Sequence, residues 1–221
     1  MPAPRAVAAQ AGARGVLRWA GRAAGAGSAG AGSAAATAAG SPGAAEAPAV
    51  ERDADGLLVF GDEAHAAYVY GSAEVVGLMC LRVFTADGGY TQGELERLEH
   101  GARRLGAAFQ NVNFLRDLAD DTERLGRSYL GQRATVDEAL QARWVATIRE
   151  QLADAADALP LLPRDARVAV GCALRFFSTL TDRIAAVPAA TLHERRIRVP
   201  GPQKTWLIAR SVLGAQKGGR T

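Results

Sequence analysis

The sequence is poor in the residues that mark several common protein classes. Its 221 residues include two cysteines, three histidines and only 6 % aromatic residues. Cys80 and Cys172 lie far apart, each within an apolar run, so we expect buried free thiols of a reducing compartment rather than a disulfide. There is no Walker loop, dinucleotide-binding fingerprint or CxxC pair, which argues against nucleotide-dependent and thiol-redox enzymes.

Excess charge and long hydrophobic runs are also scarce. The 26 basic and 23 acidic residues give a net charge of +3. This excess lies in the first 50 residues, which hold four arginines and one glutamate. The rest of the chain is balanced, so its charge gives no argument for binding nucleic acid. No uninterrupted apolar run reaches the roughly 18–20 residues that a membrane-spanning helix needs.

Residues 1–56 form a low-complexity segment of Ala, Gly and Ser with few large apolar side chains. Such a segment cannot offset its conformational entropy by burial, so we predict a disordered tail. Its arginine-rich, acid-poor composition is also typical of an organellar transit peptide. A genuine tail, a transit peptide and an artefactual start of the reading frame all remain open, and the folded domain is expected over residues 57–221.

Apolar residues recur at helical spacing through the folded part, and no segment alternates as a strand would. The first predicted helix is nearly all apolar, so we expect it to lie in a core. The pattern predicts an all-α bundle around a central cavity. The predicted helices span about 62–84, 91–125, 135–158, 164–186 and 203–213. Thr91-x-x-Glu94 and Thr135-x-x-Glu138 are capping-box patterns that predict the starts of the second and third of them.

A polar stripe runs along the second of these helices. Gln110, Asn113, Asp117 and Asp121 are spaced three, four and four residues apart, which places them on one narrow face. The two aspartates are one turn apart, about 5–6 Å between Cβ atoms, and repel unless a cation lies between them. Mg²⁺, with Mn²⁺ as the alternative ion, joins carboxylates to substrate phosphates in this way. A bare DxxxD pair is more often a solvated acidic face.

Three segments together resemble one enzyme family. They are QNVNFLRDLADDTERLGRSYL at 110–130, YVYGSAEVVGLM at 68–79, and TLHERRIRVP with Lys204 from residue 191 onward. Their order and spacing resemble the squalene/phytoene synthases, most closely the bacterial phytoene synthases, over about residues 57–214. The resemblance implies a terpenoid-synthase-like helical bundle. It covers only the second of the family's two aspartate-rich motifs, so the chain looks N-terminally incomplete.

The resemblance also implies roles for individual residues. Asp117 and Asp121 would bind Mg²⁺ and act in catalysis with Tyr129. The substrate-binding residues implied by the family are Tyr68, Gln110, Asn113, Arg116, Arg127 and Arg195.

The family's reaction is the head-to-head condensation of two geranylgeranyl diphosphates to phytoene in carotenoid biosynthesis, without NADPH. We therefore expect a prenyltransferase, weakened because one acidic motif is missing, or paired with a companion chain that supplies the absent helices. The protein is expected in the cytoplasm and touching the membrane surface, because substrate and product are greasy. The alternative is a non-catalytic relative that binds or assembles but no longer turns over.

Overall fold

A computed structural model describes residues 50–52, 58–123, 127–130 and 136–201. Most of this part of the chain is helical, which confirms the all-α prediction. The predicted helix over 203–213 and residues 1–49 lie outside the described residues. The helices are α1 (Asp62–Val69), a π-helical turn (Tyr70–Glu74), α2 (Val75–Phe84), α3 (Gln92–Arg116), α4 (Leu118–Glu123), α5 (Glu138–Ala158), a 3-10 turn (Leu159–Leu161), α6 (Arg164–Ala185) and α7 (Ala189–Glu194).

A small three-stranded sheet, which the sequence did not suggest, joins two distant parts of the chain. Strand β1 (Val50–Arg52) pairs antiparallel with β2 (Leu58–Phe60), and β2 pairs in parallel with β3 (Arg127–Ser128). Strand β1 falls within the predicted tail, so described structure begins before residue 57. The pairing of β2 with β3 brings the segment after the acidic stripe beside the start of α1.

Helix α3 is the central element and packs mainly against α5, α2 and the π-helical turn. At Gly106 a Cβ atom would lie 2.5 Å from the Ala73 carbonyl oxygen, so the two backbones approach closely only because this residue has no side chain. Val112 and Leu115 on α3 are fully buried, and Leu118 on α4 is 5 % exposed. These three residues pack in the core, as expected for the residues that lie off the polar stripe.

The start of α3 confirms the predicted capping box. The Thr91 side chain accepts from the Glu94 amide, and the Glu94 carboxylate accepts from the Thr91 amide. The hydrogen bonds that the Glu94 carboxylate accepts from the Thr91 amide and the Thr91 hydroxyl lower the pKa of Glu94. Helix α5 begins three residues later than the predicted cap at Thr135, because the Asp137 side chain accepts from the Leu140 amide.

The prediction of one continuous helix over residues 91–125 is wrong at Asp117, and residues 124 and 125 lie outside the described residues. Asp117 leaves the helical region, with φ −101° and ψ 12°, and separates α3 from α4. The Asp117 amide still donates to the Asn113 carbonyl at 2.9 Å, and the Asp121 amide donates to the Asp117 carbonyl at 2.8 Å. The interruption is therefore a local kink, and the stripe continues across it.

The prediction that the whole first apolar helix lies in the core is also wrong. Ala73 and Leu81 are buried, but Met79 and Val83 are each 62 % exposed. The segment Asp62–Phe84 is long and apolar enough to cross a bilayer by length and composition alone, and 17 % of the tested window is buried. Because one face of this segment packs closely on α3, we assign the segment to the bundle. None of the described residues covers its opposite face at Met79 and Val83.

Candidate active site

The four residues of the predicted stripe lie together on α3 and α4. Gln110, Asn113, Asp117 and Asp121 are all partly buried, and the Asp117 side chain is 16 % exposed. They are therefore not a freely solvated acidic face. Asp120, which lies next to this stripe, is exposed, as a solvated surface carboxylate would be.

Two arginines hold the Asp117 carboxylate. Arg116 donates from Nε to Oδ1 at 2.8 Å and from Nη2 to Oδ2 at 2.5 Å. Arg196 approaches from the segment after α7, with its Nε 2.7 Å from Oδ1. Both arginine side chains are largely buried, 5 % and 14 % exposed. The paired, charge-assisted hydrogen bonds from Arg116 fix the plane of its guanidinium group, and the single contact from Arg196 holds that side chain beside Asp117.

The cluster of Asp117, Arg116 and Arg196 carries two positive charges and one negative charge. Burial, followed by the nearby Arg116, lowers the pKa of Arg196, against the opposing effect of Asp117. Among the described residues, Arg196 Nη2 and Asn113 Oδ1 are buried without a hydrogen-bond partner. Because unpaired buried polar atoms are costly, these two atoms indicate a missing acceptor and a missing donor or cation. A phosphate oxygen and a metal ion or water would satisfy them.

The donor set fits part of a Mg²⁺ coordination shell. A carboxylate offers about four acceptor positions, and the arginines use three of those on Asp117, which leaves one on Oδ2. Asn113 Oδ1 and the Asp121 carboxylate are the other oxygens on the stripe. The described residues contain no group of three or more His, Cys, Asp and Glu side chains able to hold a metal. Diphosphate and water would therefore supply the remaining ligands, as is usual for Mg²⁺.

An aromatic cluster adjoins the stripe. The Tyr129 ring stacks on Phe114 with centroids 4.3 Å apart and lies 5.1 Å from the Tyr68 ring. Phe60 closes the group, 4.7 Å from Tyr129. The structure thus brings together Tyr68 and Tyr129, two of the predicted site residues that are far apart in sequence. Such rings present electron-rich faces to a cation.

The other predicted arginines have different surroundings. Arg195 is exposed and is not among the side chains around Asp117. Arg127 belongs to β3, but its side chain lies outside the described residues. Of the two adjacent arginines, Arg196 is the one that contacts Asp117, and the substrate-binding role of Arg195 stays a prediction. The two adjacent arginines follow the end of α7 at Glu194, where helical periodicity no longer indicates which side chain points inward.

An apolar cavity of about 90 Å³ lies between α2, α3, α5 and α6. Its walls include Gly77, Cys80 and Phe84 on one side and Phe109 and Gly106 on α3. Burial raises the pKa of the Cys80 thiol. None of the four stripe residues lines this cavity. It ends at Phe109, two turns before Asp117, so the polar cluster and the cavity occupy successive parts of α3.

These features agree with comparisons to known proteins. The family model described as squalene/phytoene synthase matches residues 49–203. The chain belongs to the squalene/phytoene synthase family. It is similar to a 15-cis-phytoene synthase from Synechocystis sp., with 30 % identity over 171 residues, 67 % of this chain and 50 % of the relative. It is also similar to the farnesyl diphosphate phosphatase YisP of Bacillus subtilis, with 29 % identity over 133 residues, 54 % of this chain and 48 % of the relative.

The chain spans about half the length of the curated relatives it matches. Family membership supports a prenyl-transferase-type enzyme and the terpenoid-synthase-like helical fold. Several residues of the site went unnoticed in the sequence. They are His65, Phe60, Phe114, Asn111, Gln151 and Arg196. Only Arg196 falls beside a predicted residue. Phe60 and Phe114 are ordinary core types, and the polar residues His65, Asn111 and Gln151 belong to no spacing that the sequence analysis used.

Proposed function

We propose that the chain acts as a Mg²⁺-dependent prenyltransferase that condenses two geranylgeranyl diphosphates head to head to phytoene in carotenoid biosynthesis. One observation carries the proposal. Asp117 fixes two buried arginines, while Asn113 Oδ1 and Arg196 Nη2 beside it are left without partners. This combination offers positive charge to a diphosphate and oxygen ligands to a divalent cation. Mn²⁺ is the alternative ion, and the reaction uses no NADPH.

The residues would act on the allylic carbon–oxygen bond. When that bond breaks, its electron pair leaves with the diphosphate, and Arg116 and Arg196 offset the added negative charge. Asp117 keeps both guanidinium groups in place. Gln110 and Asn113 would hold diphosphate oxygens or their waters, with Arg127 as a further cation. Bound Mg²⁺, on Asp117 and Asp121, supplies Lewis-acid stabilisation of the leaving group.

The apolar side chains would handle the prenyl part. Tyr68, which is partly buried beside Phe114 and Tyr129, would offer a ring face to an allylic cation, since such faces stabilise cations. Tyr129 would shield the diphosphate or donate a hydrogen bond to it. The double bond of the second substrate then attacks the cation, and loss of a proton gives a cyclopropyl diphosphate. Departure of the second diphosphate, rearrangement and loss of a second proton then give phytoene. The apolar cavity of about 90 Å³ lies two turns before Asp117 along α3 and would offer an apolar wall to a small part of a prenyl tail only, since ligand pockets usually measure about 300–1,000 Å³.

We further propose a companion polypeptide that supplies additional helices and covers the bare face of Asp62–Phe84. Met79 and Val83 are large apolar residues exposed on that face, and a stable monomer usually keeps such contiguous surface small. The long apolar tail of the proposed substrate supports peripheral contact with the membrane surface. We propose that the protein is cytoplasmic.

The second candidate is a non-catalytic member of the family that binds a prenyl diphosphate or assembles with another protein. It is favoured by the small donor set, since the described residues hold no cluster of three or more metal-binding side chains. Both candidates bind ligand at Asp117, but only the first turns it over. A binding experiment tests what they share, and a turnover experiment separates them.

The binding test uses calorimetric titration of geranylgeranyl thiolodiphosphate, a slowly ionising analogue, with and without Mg²⁺. We expect Asp117→Asn to weaken binding about tenfold or more, since charge-assisted hydrogen bonds are lost. Asp120→Asn removes the same charge from an exposed neighbour and should bind as the wild type does. Asp121→Asn leaves both arginine contacts to Asp117 in place and should weaken only the Mg²⁺-dependent part of the binding. Circular dichroism of each variant checks that it is folded. An affinity that changes neither in Asp117→Asn nor on removal of Mg²⁺ would contradict the proposal.

A further inference from the structure

His65 on α1 connects three other parts of the molecule. Its Nδ1 lies 2.5 Å from the Tyr129 carbonyl oxygen, and its Nε2 lies 3.0 Å from Asn111 Oδ1 on α3. Asn111 Nδ2 in turn donates to Gln151 Oε1 on α5 at 3.1 Å. Asn111 and Gln151 are buried, 2 % and 7 % exposed. A continuous polar chain therefore runs from the segment after β3 into the bundle core.

The direction of one hydrogen bond in this chain is fixed by chemistry. A carbonyl oxygen only accepts, so His65 Nδ1 must carry a hydrogen in either protonation state. If Nε2 is also protonated, it donates to Asn111 Oδ1. If Nε2 is not, the Asn111 and Gln151 amides turn by 180°, and Asn111 donates to the ring. The bond to Tyr129 is present in both arrangements.

The imidazole has little freedom to leave this position. Its ring lies 4.9 Å from the Trp144 ring on α5 and 5.5 Å from the Phe114 ring on α3. Phe114 is the residue on which Tyr129 stacks. His65 thus contacts both the main chain of Tyr129 and the aromatic partner of its side chain. Releasing the carbonyl would free the backbone that sets where the Tyr129 ring lies.

We propose that His65 is a positioning residue that fixes Tyr129 at the diphosphate end of the site through its main-chain carbonyl. This role rests on the proposed function, because it matters to ligand only if Tyr129 lines a diphosphate site. The residue does not touch the stripe carboxylates in the described structure. It acts through Tyr129, and its effect is therefore specific to the hydrogen bond from Nδ1.

Two substitutions of His65 test the hydrogen bonds of Nδ1 and Nε2 separately. His65→Asn keeps a donor at about the position of Nδ1, whereas His65→Gln reaches toward Asn111 and loses the donor to Tyr129. Selective labelling with ¹³C-carbonyl tyrosine and ¹⁵N leucine gives one cross-peak, because Tyr129–Leu130 is the only Tyr-Leu pair in the sequence. We expect this carbonyl resonance to move in His65→Gln and to stay near its wild-type position in His65→Asn.

The same labelled samples are titrated with inorganic pyrophosphate and Mg²⁺. His65→Gln should weaken pyrophosphate affinity about tenfold, since small displacements of site groups have large effects, and His65→Asn should restore it while both variants melt at similar temperatures. An unmoved carbonyl resonance in His65→Gln overturns the hydrogen bond. A moved resonance with unchanged affinity overturns the positioning role. If the wild type binds no pyrophosphate, the proposed function fails and the role fails with it, although the resonance still reports the bond.

Discussion

At the scale of single residues, Asp117 has two roles in the site, since it contacts two arginines and can also bind a ligand or metal. Its carboxylate accepts from Arg116 and Arg196, yet one acceptor position on Oδ2 is left for a ligand or metal. Removing a charge from a buried cluster leaves the partner charges uncompensated. The carboxylate is therefore expected to matter for the placement of the arginines as well as for binding a cation.

Arg196 provides the sharpest residue-scale prediction. Arg196→Gln removes the unpartnered Nη2 and one contact to Asp117, so the affinity for geranylgeranyl thiolodiphosphate should fall about tenfold. Arg195→Gln removes the same charge one residue earlier, from an exposed side chain, and should leave affinity near the wild-type value. Calorimetric titration of both variants measures the difference. Equal losses would show that the effect is only a change in net charge.

Some residues of the site could be predicted from the sequence and others could not, and the difference has a physical reason. Asn113 and Asp117 could be found because helical spacing places side chains on a common face. Arg196 could not be chosen over Arg195, because the chain leaves the helix at Glu194. His65 could not be found either, since its partners Tyr129 and Asn111 are 64 and 46 residues away in sequence. Contacts at that range depend on packing.

At the scale of elements, the position of the site depends on how closely the π-helical turn approaches α3. Gly106 meets the backbone of Ala73 and Glu74, and Arg103 on α3 pairs with Glu74 at 2.7 Å. That hydrogen bond raises the pKa of Arg103. The close approach sets the distance between the helix that carries Tyr68 and the helix that carries the stripe.

Gly106→Ala tests this close approach. Its Cβ would lie 2.5 Å from the Ala73 carbonyl oxygen and 2.8 Å from the Ala73 carbonyl carbon, and backbone atoms cannot rotate away. We expect a loss of about 1–3 kcal/mol in the free energy of unfolding, as for other overpacked sites. Denaturant unfolding followed by circular dichroism measures it.

Gly93→Ala is the matched control on the same helix. No atom lies within 4 Å of the position that a Cβ atom would take there, so the change should leave stability unchanged or raise it by up to about 1 kcal/mol. A stable Gly106→Ala variant would contradict the proposed packing of α3 against the π-helical turn.

The bounds of the longer helices were predictable, while their interruptions were not. The capping residue Thr91 and the prolines at 160 and 163 indicate where α3 begins and α5 ends. The kink at Asp117 was not predicted, because no proline or glycine marks it. The small sheet was missed because its strands are two or three residues long, too short for alternation to be visible.

At the scale of the whole molecule, one face of the bundle is unusually apolar. The composition of Asp62–Phe84 predicted a core helix, and α3 does cover one side of it. Sequence periodicity could not show that the other side is bare, because an all-round apolar helix has no preferred face. This face is the natural surface for the proposed companion polypeptide.

The companion can be tested with the half of the Synechocystis relative that the match does not cover. Co-expressed with this chain, it should form a complex of increased mass in size-exclusion chromatography with light scattering. The double variant Met79→Glu and Val83→Glu should abolish the complex, because it places charge on the apolar face. Glu99→Lys on the exposed side of α3 should not. A complex that tolerates both glutamates would place the companion elsewhere.

The central claim is that this chain ionises a prenyl diphosphate at Asp117, and product analysis tests it most directly. Geranylgeranyl diphosphate and Mg²⁺ are incubated with the purified chain, alone and with the companion segment, and the products are separated by chromatography. We expect weak phytoene formation by the chain alone, an increase with the companion, and a fall on the order of 10²-fold in Asp117→Asn but not in Asp120→Asn. Turnover that survives Asp117→Asn would contradict ionisation at this site, and release of geranylgeraniol without phytoene would contradict the proposed head-to-head condensation.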